Sequence, residues 1–198
     1  MLKQLYPIIA EHIYAFKQIL VDKRASLNEK TEQWFTLNRG TSHPEVFSKC
    51  KIVCPQRSKT NTFGYNECEW YAASDVFFLT NPKEGYDLKY LLGLLNSKLY
   101  FMWLYSKGKR KGETLELTAT PLSEIPIKKC GDREMASIVL LVDSIISAKK
   151  QGKDTSALEN QIDFLVYHLY GLTYDEVLIV DPETPISRDE YESYNIEQ

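Results

Sequence analysis

The chain has 198 residues with 43% hydrophobic and 26% charged side chains, ordinary globular composition for one domain or a core with a helical annex. No apolar run approaches the roughly 18 residues of a membrane-spanning helix, Glu11 and His12 interrupt the opening MLKQLYPIIAEHIY too early for a signal peptide, and four cysteines make no disulfide framework, so a cytoplasmic setting is expected. The net charge of −3 is uneven: residues 1–130 hold 19 basic against 13 acidic side chains, whereas residues 131–198 hold 5 against 14, which suggests two regions with different partners.

In chain order, Pro7 and the spacing of Leu2, Leu5, Ile9, Ile13, Phe16 and Leu20 predict an amphipathic helix from about Pro7 to Lys23. The polar residues 25–33 read as a loop. WFTL at 34–37, KIVCP at 51–55, EWYAA at 69–73 and DVFFLT at 75–80 read as strands of a mostly antiparallel sheet. Asp87 is placed to cap LKYLLGLLNSKLYFMWLY, a helix apolar on several sides and therefore central to a core. The basic stretch SKGKRKGE follows, then two further strand-like pieces, ETLELTA and LSEIPI. From Gly131, Ile138, Leu141, Val142, Ile145 and Ile146 mark a helix. Ser156 with Glu159 suggests a capping box for a second, Gly171 its stop, and Thr173 with Glu176 the start of a short third. The acidic tail from Asp181 gives little reason for order.

The expected fold is α+β, a small mostly antiparallel sheet around a central apolar helix, with a C-terminal helical module. The expected division is a linker helix at 1–24, a sheet-bearing domain at 25–130, and a helical module with an acidic tail at 131–198.

No P-loop, Rossmann glycine fingerprint, HExxH or Gly-x-Ser-x-Gly pattern is present, and Asn81-Pro82 is followed by Lys83-Glu84 rather than Pro-Tyr. His12, His43 and His168 are scattered, and His168 between Tyr167 and Tyr170 reads as a helix-packing residue. Cys50, Cys54 and Cys68 with His43 could form a metal cluster, but small core cysteines are the commoner outcome. Glu67 and Glu69 look like the wet face of a strand.

Binding remains. Arg57-Ser58-Lys59-Thr60-Asn61-Thr62 is a polar loop rich in donors, and Lys107, Lys109, Arg110 and Lys111 form a glycine-flanked basic cluster. Lysines suit phosphate contacts, while Arg and Asn can pair with base edges. The candidate DNA contacts are therefore Arg39, Arg57, Lys59, Asn61, Thr62, Lys107, Lys109, Arg110 and Lys111, with Arg57 and Asn61 as base readers and the second cluster on phosphates.

Several segments together resemble one family. They are LYPIIAEHIYAFKQILVDKR, EQWFTLNRG, CKIVCPQRSKTNTFGYNECEWYAASDVFFLTN, KYLLGLLNSKLYFMWL with the downstream IPI, and IDFLVYHLYGLTYDEVLIVD. They are similar to the TaqI-like C-terminal specificity domain of type IIG restriction-modification enzymes and related adenine-specific DNA methyltransferases. The resemblance implies that residues 25–130 form a target recognition domain that reads a short duplex sequence for a restriction-modification or phage-defence enzyme. It also implies helical segments that dock against a methyltransferase domain and, where one exists, a nuclease domain. Lacking catalytic motifs, the chain is expected to be a fragment or separate specificity portion that catalyses nothing alone. No cofactor is expected in it; S-adenosylmethionine, with Mg as a further candidate, is expected of the parent enzyme. The base-reading residues do not follow from the resemblance, and Asn96-Ser97 reads as a helix-internal polar pair that bonds a neighbouring backbone. The alternative is a protein-interaction module whose acidic helical segment docks a partner while the basic loops are inert.

Overall fold

The computed structural model describes residues 2–36, 44–73 and 75–194, and the chain divides into two compact units, 1–44 and 45–198. In the first unit the expected single helix is three: α1 (Leu2–Leu5), α2 (Pro7–Tyr14) and α3 (Lys17–Ser26). Pro7 forces Tyr6 out of helical geometry. The second break falls at Phe16, whose N–H bonds the Ile13 carbonyl three residues back and passes over that of His12. Ala10 and Trp34 are buried, whereas Leu5, Ile9 and Phe16 of the expected apolar face stay exposed. The Arg24 guanidinium, itself buried, donates to the Thr36 carbonyl and to Thr36 Oγ1 at 3.0 Å and so ties residues 29–36 to α3. Trp34–Thr36 is therefore a turn rather than the start of a strand, and Leu37 lies outside the described residues.

In the second unit, β1 (Lys51–Pro55) is followed after one residue by β2 (Arg57–Ser58), then β3 (Gly64–Asn66) and β4 (Val76–Leu79). β1 pairs antiparallel with β3 and β4 on its two sides, and its inward Ile52 and Cys54 are fully buried. The expected strand at 69–73 does not form. Instead Lys51, fully buried, points its ammonium at the carbonyls of Phe47, Lys49 and Cys68, each at 2.9 Å, and Trp70 N–H bonds the Phe47 carbonyl. These bonds fix 67–70 against 47–49 without a ladder.

Asp87 caps α4 (Leu88–Asn96) by accepting from the N–H groups of Lys89 and Tyr90. The expected long helix breaks at Ser97, which is extended and caps α5 (Lys98–Lys107) through its hydroxyl. Asn96 bonds both backbone groups of Phe63, so the polar pair does bond a neighbouring backbone, at a helix junction rather than inside a helix. After α5 come β5 (Lys109–Lys111), β6 (Thr114–Glu116) and the short α6 (Ala119–Ser123). LSEIPI forms no strand: Tyr100 and Tyr90 hydroxyls take the carbonyls of Pro126 and Lys128 instead.

Next are α7 (Asp132–Lys150), α8 (Ser156–Tyr170), α9 (Tyr174–Val180) and α10 (Arg188–Ser193). One core joins α4 through Leu92, Leu94 and Leu95 to Ile52, to Leu115 and Leu117, and to Ile138, Val142, Ile162 and Val166. At the α4–α7 crossing, a Cβ on Gly93 would lie 2.7 Å from Ile138 Cγ2. Gly93→Ala is therefore expected to lower stability by about 1–3 kcal/mol in urea unfolding, less the roughly 1 kcal/mol that alanine gains in a helix.

The α8 cap sits one residue earlier than expected, at Thr155, while Gly171 (φ +70°) and the Thr173–Glu176 box stand where the sequence puts them. The tail is a correction. Asp181, Ile186 and Tyr191 are buried, and the Tyr191 hydroxyl donates to the Leu172 carbonyl, because apolar anchors lie within the acidic stretch. His168 packs its ring on Tyr191 at 4.0 Å.

Asp163 of α8 is buried and accepts from the Lys98 N–H at 2.8 Å, capping α5 from a neighbouring helix. Burial pushes its carboxyl up from 3.8 to about 6; Lys98 opposes this, and Asp181 and Glu159 add to it. Because the folded state holds this proton more tightly, its contribution to stability is largest at acid pH and is lost as pH rises through about 6. Asp163→Asn keeps an acceptor for Lys98 and removes the charge. Relative to the variant, the wild type is expected to lose up to about 3 kcal/mol between roughly pH 4 and pH 7 in urea titrations.

Candidate nucleic-acid interface

The two basic segments meet. β6 is the centre of a second antiparallel sheet with β2 on one side and β5 on the other, and Arg57 and Lys109 both stand opposite Glu116. Residues directly opposite share a face. Leu115, buried, therefore sets the inner face with Ser58 and Arg110, and the outer face carries Arg57, Lys109, Lys111, Thr114 and Glu116. β5 and β6 form a hairpin with a two-residue turn, Gly112-Glu113, in which Gly112 takes φ +65°. Gln56 couples the two sheets: its N–H bonds the Asp75 carbonyl, and its carbonyl accepts from Leu117.

On the outer face Arg57 donates through Nε and Nη2 to Glu116 Oε1, at 3.0 and 2.7 Å. That bond, the Arg57 charge, and the charges of Lys111 and Lys109 hold the Glu116 carboxyl below its usual range. Lys59, Lys107, Lys109 and Lys111 are exposed and make no ion pair among the described residues. Arg110 lays its guanidinium over the Tyr105 ring at 4.4 Å, which fastens the hairpin to α5.

Asn61 is turned inward rather than offered to a base edge. Its amide donates to the carbonyls of Leu95 and Ser97 at 2.8 and 2.9 Å, so both donors serve the end of α4. Thr62 is exposed and donates to the Thr60 carbonyl. Arg39 lies outside the described residues. Sequence reasoning missed Glu116 and Tyr105. The Lys-Gly-Glu-Thr turn between alternating residues was the available hairpin signal, and it would have put Glu116 on the face of Lys109.

Of the cysteine and histidine set, Cys54 is buried and its thiol is pushed up to about 12 by burial, Cys50 and Cys68 are exposed, and His43 lies outside the described residues. Among the described residues no group of three His, Cys, Asp or Glu side chains could hold a metal ion, and no helix is long and apolar enough to cross a membrane.

Residues 7–127 match the model of the TaqI-like C-terminal specificity domain. The chain is 29% identical over 166 residues to the type II methyltransferase M.MjaIV of Methanocaldococcus jannaschii, covering 83% of this chain and 55% of that protein. It is 30% identical over 115 residues to the type II methyltransferase M.HindII of Haemophilus influenzae, covering 54% of this chain and 22% of that protein. The chain thus spans about half the length of the first relative and about a fifth of the second. With the family model covering more than half of its length, the chain belongs to the TaqI-like C-terminal specificity domain family.

Proposed function

We propose that the chain is the duplex-DNA recognition portion of a restriction-modification methyltransferase of the type IIG kind or a related adenine methyltransferase, and that it is not catalytic alone. The observation that carries this is the convergence of two basic segments on one three-stranded sheet, where Arg57, Lys109 and Lys111 share an exposed face. Such a surface suits a polyanion, because its lysines make no ion pair among the described residues and are available to neutralise phosphates. Family membership and methyltransferase relatives support the same reading. In it, S-adenosylmethionine is bound by a methyltransferase domain that this chain docks against, in a cytoplasmic, phage-defence setting.

Hydrogen exchange of the chain with and without duplex DNA tests the reading. Protection is expected over 57–62 and 107–116. Protection confined to α7–α10, or none at low salt, would contradict it and favour the protein-interaction alternative.

A further inference from the structure

The Arg57–Glu116 pair has a geometry that a simple phosphate grip does not need. A guanidinium carries five N–H groups in a fixed plane. Arg57 uses one on Nε and one on Nη2 for Glu116 Oε1. Both N–H groups of Nη1 and one of Nη2 remain, and they form the terminal edge that presents two parallel donors. The side chain is 55% exposed, so that edge is accessible. Guanine O6 and N7 in the major groove accept such a pair, and a planar fork held at one edge by a carboxylate meets them in a fixed orientation that a rotating lysine ammonium does not have. Glu116 is an acid in the middle of a basic row, between Arg57 and Lys109. There it opposes phosphate and lowers indiscriminate affinity, but its bonds to Arg57 hold the fork.

We infer that Arg57 reads a guanine in the recognised duplex and that Glu116 is its positioning residue; this rests on the DNA-recognition reading above. Lys109 and Lys111, on the same face, then track phosphates, and discrimination at one base pair resides in the cross-strand pair.

The test begins with selection of bound sequences from a randomised duplex pool by the full chain. A motif with a fixed guanine is expected, and 7-deazaguanine at that position should weaken wild-type binding. Arg57→Met, which keeps the apolar stem and removes every donor, should lower the ratio of selected to random affinity by roughly 5- to 150-fold, and 7-deazaguanine should then have no further effect. Glu116→Ala should move two quantities in opposite directions, raising affinity for random duplex while lowering discrimination. A merely structural role would lower both.

Equal loss on selected and random duplex in Arg57→Met, with 7-deazaguanine sensitivity retained, would make Arg57 a phosphate contact and overturn the inference. Binding without any guanine in the selected motif would do the same and leave the DNA-recognition reading intact. A chain that binds no duplex at the lowest salt overturns both.

Discussion

Neutralising Lys107, Lys109 and Lys111 together should lower the slope of log affinity against log salt by about 2.7, since each phosphate contact contributes about 0.9. Between roughly 50 and 200 mM salt the wild type should therefore lose about 40-fold more affinity than the variant. All three side chains are exposed, and the two on β5 lie on an edge strand whose partner β6 holds the core through Leu115. Arg110, expected among the phosphate contacts, faces the other way onto Tyr105, so leaving it in place keeps the hairpin fastened while the substitution removes charge and no buried group. Anisotropy titrations with an unchanged slope, in a variant whose thermal unfolding matches the wild type, would remove the hairpin from the interface.

The second large effect concerns stability. Lys51→Met should destabilise the chain by about 3 kcal/mol, because three carbonyls gathered around a fully buried ammonium lose their partner at once. Methionine fills much the same volume, so the loss reports the bonds rather than a cavity. The effect should appear in urea unfolding. Exposure of Trp70, held by the bond to Phe47, should also rise in fluorescence quenching. A variant within about 0.5 kcal/mol of wild type would mean that the carbonyls find other partners.

The elements legible in the sequence are those with local signals: the Asp87 cap, the β-branched run of β1, the α7 periodicity, the Gly171 stop and the Thr173–Glu176 box. Local signals also misled. Periodicity ran through the break at Ser97, because the apolar spacing of 88–104 continues while the junction is fixed by Asn61, the Phe63 backbone and Asp163 from elsewhere in the fold. The acidity of the tail hid Ile186 and Tyr191.

At the candidate site, residue types were legible but their meeting was not. Arg57 and Glu116 are 59 positions apart, and only the pairing of β2 with β6 brings them together. The same limit explains Asn61. Its chemistry suited a base edge, but the proximity of the Leu95 and Ser97 carbonyls turned it inward.

The most direct test of the central claim is anisotropy binding of the unmodified chain to randomised duplex DNA over a range of salt. Recognition through the basic sheet predicts measurable binding that falls steeply and linearly in log affinity against log salt. Absence of binding at the lowest salt, or affinity indifferent to salt, would contradict it.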